Sequence, residues 1–274
     1  MRVRLAWSTD PGLQREENED AVVVRRNKAG VDALIVVCDG MGGHVAGRLA
    51  SSIASETFVK VMEADGGKGP DPARLRAASD EANAAVHSKA SGDAALTGMG
   101  STLTVVAIDD DEIGIVNVGD SPAYLFRDGE AVLISQDHSW PAEQVRLGLI
   151  QPEDAKDHPM KHRLTRAIGV WDRIQSYTNR IKARPGDTLV LCSDGIETAG
   201  VSVEEMWELL YGNDLEAGIE RVFRKCKQLG APDNITLAVA RFEEGGDRKR
   251  EPEVEKTAVL KAIKPEELER RRQE

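Results

Sequence analysis

The chain has 274 residues, a net charge of −11 and 30% charged residues, which is enough length for one large domain, or two small ones, with a substantial core. The acidic balance, with no basic stripe against it, excludes a surface built to bind nucleic acid. No run approaches the ~18 uninterrupted apolar residues of a membrane span, and the opening MRVRLAWSTDPG lacks the apolar core of a secretory leader, so a cytoplasmic setting is expected.

The apolar runs AVVV (21–24) and LIVVC (34–38) predict a first pair of strands. HVAGRLASSIASETFVKVM then places Val45, Leu49, Ile53, Thr57 and Val61 on one helical stripe. After the Gly/Pro loop 66–72, a second helix turns Leu75, Ala78, Ala82 and Val86 inward, so the two helices read as an antiparallel pair on one face of a sheet. Segments 101–109, 113–119 and 123–135 read as a β-meander, with Asp128-Gly129 as a hairpin turn. Residues 140–176 are polar and Pro-interrupted, and predict an inserted segment over the sheet edge. TLVLC (188–192) resumes the sheet. Val203, Met206, Trp207 and Leu210 mark a third helix, and Leu215, Ile219, Val222, Phe223 and Cys226 a fourth; ITLAVA (235–240) closes the domain. From Glu243 onward charges of both signs dominate, so the chain divides into a domain at 1–242 and a charged, flexible tail at 243–274 with at most a short terminal helix. Thr257 is the tail's candidate phosphorylation site. Grouped strands followed by paired helices predict an α+β fold, sheet packed on sheet with helices outside. Cys38, Cys192 and Cys226 are unevenly spaced within apolar stretches and predict buried thiols, not a disulfide framework or a zinc site.

Carboxylates border four of the apolar runs: Glu19-Asp20 before AVVV, Asp39 after LIVVC, Asp194 after TLVLC and Asp233 before ITLAVA. Asp120 adds a fifth place, in a turn after a strand. Strand ends are rigid posts, and carboxylates brought together there repel one another unless a cation neutralises them. Oxygen ligands alone suit hard cations such as Mg²⁺ or Mn²⁺. One Asp-Gly after a strand is an ordinary turn. Asp39-Gly40 and Asp194-Gly195, each ending a fully apolar strand and preceding helix-like sequence, do not fit a hairpin pattern.

Taken in order, TDPGLQREENEDA, VVCDGMGGHVAG, GMGSTLT, VNVGDSPAYLF, DHSW, LTRAIG, LCSDGIE and APDNITLAVA resemble the metal-dependent protein phosphatases of the PP2C class, in its bacterial branch. The resemblance runs from Leu5 to Phe242. It implies a four-layer α-β-β-α sandwich of two antiparallel sheets flanked by helix pairs. It also implies hydrolysis of phosphoserine and phosphothreonine in proteins by a metal-bridging water, without a covalent phosphoenzyme. Two Mn²⁺ or Mg²⁺ ions are implied, and a third, weaker one. By position, Asp39 bridges two ions and the Gly40 carbonyl binds one. Asp194 and Asp233 hold the other, and Glu19 and Asp20 act through metal-bound water. Asp120 with Asp194 serves the third ion. Arg15 binds the substrate phosphate, a task a guanidinium performs bidentately.

Met41 follows Asp39-Gly40 where some relatives carry His. That leaves His44 to protonate the leaving group, contact substrate or cap the helix; His138 is expected to orient local backbone. Pro122 stands in GDSPAY where many members have Arg, and an altered affinity or stability is expected from it. Residues 140–176 correspond to the family's flap. The implied partners are phosphoproteins, including a Ser/Thr kinase or its substrates, and the catalytic domain is expected to be monomeric. The alternatives are a catalytically weak phosphoprotein-binding or regulatory domain of the same fold, which loss of an acidic ligand would have favoured, and a phosphatase for small phosphate esters.

Overall fold

Strands stay apolar on both faces only where both faces are covered, and that condition sets the architecture. The computed structural model describes residues 1–212, 214–245 and 255–258. One antiparallel sheet has the order β1-β12-β11-β8-β9: β1 (Arg2–Asp10), β12 (Ile235–Glu243), β11 (Thr188–Cys192), β8 (Ala123–Arg127) and β9 (Glu130–Leu133). The other runs β10-β7-β6-β3-β2-β13: β10 (Tyr177–Lys182), β7 (Glu112–Val118), β6 (Leu103–Asp109), β3 (Ala33–Cys38), β2 (Ala21–Arg26) and β13 (Glu255–Ala258). A short ribbon of β4 (Gly40–Met41) and β5 (Gly100–Ser101) stands apart.

Three apolar cores separate four layers. Within β3, Ile35 and Val37 meet Leu189, Leu191, Ala238 and Ala240 between the sheets. Leu34, Val36 and Cys38 face the other way, against α1 (His44–Ala64) and α2 (Pro72–Ser91). On the opposite side Val190, Cys192, Leu237 and Val239 pack under α6 (Val203–Leu210) and α7 (Leu215–Gln228). This is the α-β-β-α sandwich, and it explains why β3, β11 and β12 read as unbroken apolar runs. The three cysteines are free and buried, as expected; burial pushes the thiols of Cys38 and Cys192 up, and that of Cys226 up to about 11.

Several expectations are corrected. The buried face of α1 is the ladder Ala46, Ala50, Ala54, Phe58 and Met62, whereas Val45 is 59% exposed and Leu49, Ile53 and Val61 are only partly buried. The small side chains let the helix lie close against its neighbours, and that proximity decides which stripe turns inward. On α2 the expected face holds: Leu75, Ala78, Ala82 and Val86 are all fully buried. The supposed meander is divided, because β6 and β7 lie in one sheet and β8 and β9 in the other, and the chain crosses between them at 119–122. Asp128 and Gly129 both have positive φ in the β8–β9 hairpin, as that turn requires. In the tail, Glu255–Ala258 pairs antiparallel with β2 and sets Thr257 opposite Val23, so this stretch is an edge strand and not free coil. The other residues of the tail beyond Gly245 lie outside the described residues.

The segment 140–176 holds α3 (Trp140–Arg146) and α4 (Pro152–Lys156). It is stitched back by bridges from Ser139 to Leu164 and from Ser101 to Ile168. Among the described residues, no helix is long and apolar enough to cross a membrane.

Candidate metal centre and catalytic cleft

The antiparallel pairing of β2 with β3 and of β11 with β12 brings the start of one strand beside the end of its neighbour. Glu19, Asp39, Asp194 and Asp233 are thereby delivered to one end of the sandwich, and the crossover after β7 adds Asp120. Those five carboxylates line a single cleft of about 720 Å³ together with Arg15, Gly40 and the Gly42-Gly43 turn. Among the described residues no three His, Cys, Asp or Glu side chains converge as a finished cation site.

Each post is fixed locally. The Asp39 amide donates to Thr102 Oγ1 at 2.8 Å, and the Asp39 carbonyl accepts from the Thr102 amide at 2.8 Å and from Ser101 Oγ at 3.0 Å. A Cβ on Gly40 would stand 2.0 Å from the Gly47 carbonyl oxygen and 2.6 Å from that of Glu19, so α1 and the Glu19 loop close onto the ribbon only because this residue is glycine. The next glycines, Gly42 and Gly43, take φ of 122° and 81° and let α1 start abruptly, with no side-chain cap. His44 is the first residue of that helix; its side chain lies outside the described residues.

Asp20 departs from the expected arrangement. It sits beneath the cleft, 4% exposed, with Oδ2 accepting from Ser193 Oγ at 2.7 Å and from Thr236 Oγ1 at 2.6 Å. Its Oδ1 is buried without a hydrogen-bond partner in the described structure. A buried acceptor with a free lone pair is costly unless a donor or cation meets it, so this atom fits a divalent ion or its water. Burial, with the nearby charges of Asp194 and Asp233, pushes Asp20 up to about 7. Burial pushes Asp39 well above the usual carboxylate range, and Asp20, Asp194, Asp120 and Asp233 all add to it. Asp39 is therefore the electrostatic hub. Burial, then Asp194, Asp137 and Glu197, raise Asp120 to about 8; burial, then Asp233, raise Asp194. Such a set of mutually raised carboxylates is the donor set a hard cation requires.

Arg15 reaches the cleft, but its Nη2 is paired with Asp233 Oδ2 at 2.9 Å, and its side chain is 48% exposed. His138 is fully buried and its Nδ1 accepts from the Gly119 amide at 3.1 Å. Burial and the Arg166 cation hold it down to about 4, a neutral ring that orients the 119–122 crossover. Pro122 lines a different cavity, beside Tyr124, Ile196 and Glu197, and its carbonyl accepts from the Cys192 amide at 3.1 Å.

Sequence reasoning missed Ser193 and Thr236, which hold Asp20, and His162, which the flap places on the cleft wall. It also missed Asn234 as a clamp. The Asn234 Oδ1 accepts from the Glu19 amide at 2.8 Å, and its Nδ2 donates to the carbonyls of Glu17 at 2.9 Å and Pro11 at 3.0 Å. One buried side-chain amide thus ties the loop carrying Arg15 and Glu19 to the turn carrying Asp233. Asn234→Ala leaves one buried backbone amide and two part-buried carbonyls short of a partner, and the expected cost is about 1–3 kcal/mol. Thermal melting checks this.

Residues 14–235 match the family model for protein phosphatase 2C. The chain belongs to the protein phosphatase 2C family. It is 36% identical over 238 residues to the serine/threonine protein phosphatase PstP of Mycobacterium tuberculosis, covering 87% of this chain and 45% of PstP. It thus spans somewhat under half the length of that relative. Serine/threonine phosphatase stp of Listeria monocytogenes is 36% identical over 240 residues, covering 84% of this chain and 92% of stp. A crystal structure of the PstP catalytic domain in complex with two manganese ions superposes with a TM-score of 0.75 at 33% identity, covering 88% of this chain and 99% of that one. The sandwich fold is thus shared with a solved structure of that family.

Proposed function

We propose that this chain hydrolyses phosphoserine and phosphothreonine in proteins, using two Mn²⁺ or Mg²⁺ ions and a weaker third. The observation that carries the reading is the convergence of five carboxylates from separate segments on one cleft, with an arginine at its rim and a buried unpartnered carboxylate oxygen beneath. The names of PstP and stp, and the two manganese ions bound by the PstP catalytic domain, support it. Asp39 and the Gly40 carbonyl would hold one ion, with Glu19 and Asp20 acting through its water. Asp194 and Asp233 would hold the second ion, and Asp120 would serve the third. The ions, when bound, supply an activated water nucleophile and neutralise the phosphoryl oxygens.

The protein's own groups do the rest. Arg15 orients the phosphate dianion: its half-exposed pair with Asp233 contributes only ~0–1 kcal/mol, so the guanidinium exchanges readily onto a substrate phosphate. Thr102 and Ser101 keep Asp39 from moving as substrate binds. His44, next to the cleft-lining Gly43, is assigned the leaving-group proton or a substrate contact on resemblance alone. The flap at 140–176 covers the cleft as part of a catalytic domain at 1–242. Phosphoproteins from Ser/Thr kinase signalling are the proposed partners, and a monomer the proposed state.

Phosphate release from a phosphothreonine peptide, titrated with Mn²⁺ after chelator treatment, tests the reading. Release that is absent with chelator and restored saturably by Mn²⁺ is expected. Release indifferent to metal, or none at saturating Mn²⁺ with the protein folded, would overturn it.

A further inference from the structure

A second cavity of about 480 Å³ opens off the catalytic cleft beneath the flap. The two are continuous: Asp120, His162, Asp194 and Thr198 line both. A polypeptide whose phosphorylated side chain occupies the cleft therefore has a ready path for its flanking residues along this groove. The volume suits one or two peptide side chains.

The walls state what kind of side chain. Pro141 and Ala142 of α3, with Pro152 and Ala155 of α4, form an apolar strip. Beyond the residues shared with the cleft, exposed carboxylates come from three different places: Asp137 before α3, Asp157 after α4, and Glu197 in the short helix α5 (Gly195–Thr198). Lys161 is the lysine set against them. Among the described residues none of these three carboxylates is in an ion pair. An aliphatic stem lying on prolines and alanines with a cationic head among carboxylates is how lysine and arginine side chains pack.

We infer that this groove is a docking surface for a basic side chain, arginine or lysine, next to the phosphorylated residue of the substrate, with Asp157 and Glu197 as its specificity-determining residues. The inference rests on the hydrolase reading and narrows it to a substrate class. Charge complementarity and continuity with the cleft select this occupant. An acidic flank would meet like charge from three sides, and a neutral one would leave the carboxylates unpaired.

The test uses the full chain at saturating Mn²⁺ and three phosphothreonine peptides that differ only in carrying Arg, Ala or Glu beside the phosphothreonine, each made with the change on either side. The Arg peptide is expected to exceed the Ala peptide in kcat/KM by about tenfold on one side, mainly through KM, and the gap should shrink in about 0.5 M NaCl as screening predicts. In Asp157→Asn combined with Glu197→Gln the Arg preference should fall to within about twofold, and in Asp157→Lys it should turn toward the Glu peptide. Equal turnover of all peptides by the unsubstituted chain overturns the groove and leaves Mn²⁺-dependent hydrolysis standing. So does an Arg preference that both variants keep, or variants that change the Mn²⁺ requirement and not the peptide preference, which would give the groove to a cation. Turnover of none of the peptides sinks the hydrolase reading itself.

Discussion

Asp39→Asn is expected to abolish Mn²⁺-dependent phosphate release, by on the order of a thousandfold or more, while making the metal-free protein more stable. The two halves of this result have one cause. Asp39 is the carboxylate whose charge is opposed by burial and by Asp20, Asp194, Asp120 and Asp233 together. Asparagine keeps its shape and the backbone contacts with Thr102 and Ser101, but removes the charge that would bridge cations. The same removal relieves the repulsion among the remaining carboxylates. In chelator at pH 8 the variant should melt above the unsubstituted chain, and it should no longer respond to Mn²⁺. Lost activity with a raised melting temperature cannot be misfolding. A variant that is both inactive and less stable would show that Asp39 supports the fold and not a cation, and retained Mn²⁺-dependent activity would remove it from the centre altogether.

The candidate centre was legible because the carboxylates of the cleft and the strand termini coincide. Two apolar strands each ending in Asp-Gly, and a third preceded by Asp233, already mark positions that one end of the two packed sheets brings together. The residues were visible in the sequence while their depth was not. Asp20 follows Glu19 directly, yet one lines the cleft and the other lies beneath it under Ser193 and Thr236, because neighbours at a strand start point to opposite sides. β1 escaped notice for a related reason. RVRLAWSTD is mixed in polarity, and its nine-residue pairing with β12 closes a loop of more than two hundred residues that no local pattern announces. β10, YTNRIK, is an edge strand with polar residues throughout. The division of the expected meander at Gly119–Pro122 is likewise tertiary: β7 and β8 each look like their neighbours, and the change of sheet is marked by long-range contacts such as the buried His138 ring against the Gly119 amide. The flap yields least to sequence, since its short helices carry few apolar residues and its contribution is a wall shared with α5.

The carboxylate cluster also predicts how stability should depend on pH and metal. Asp20 is raised to about 7 and Asp120 to about 8, with Asp39 and Asp194 raised as well, burial being the leading cause in each. A carboxyl whose pKa is higher folded than unfolded holds its proton more tightly in the native state. Its stabilising contribution is complete below the unfolded pKa of ~4 and is lost as pH rises through the folded value. Here the window is pH 4 to 8. For Asp20, ionising in place at pH 8 destabilises the native state relative to the unfolded chain, burial being the leading cause. The groups interact, so their costs do not simply add. In chelator, the melting temperature is expected to fall by roughly 10 °C or more between pH 5 and pH 8, at about 2–4 °C per kcal/mol for a domain of this size. On the proposed reading Mn²⁺ would bind the ionised carboxylates of the native state and not the unfolded chain, so it should restore most of that loss at pH 8 and add little at pH 5, where protons compete for the same oxygens. Asp39→Asn should flatten both dependences. Melting curves across pH with and without Mn²⁺ decide it. Metal-free stability that rises from pH 5 to 8, or a Mn²⁺ effect equal at both ends, would mean that these carboxylates are not held together as a repelling cluster, and the case for a shared cation site would fall with it.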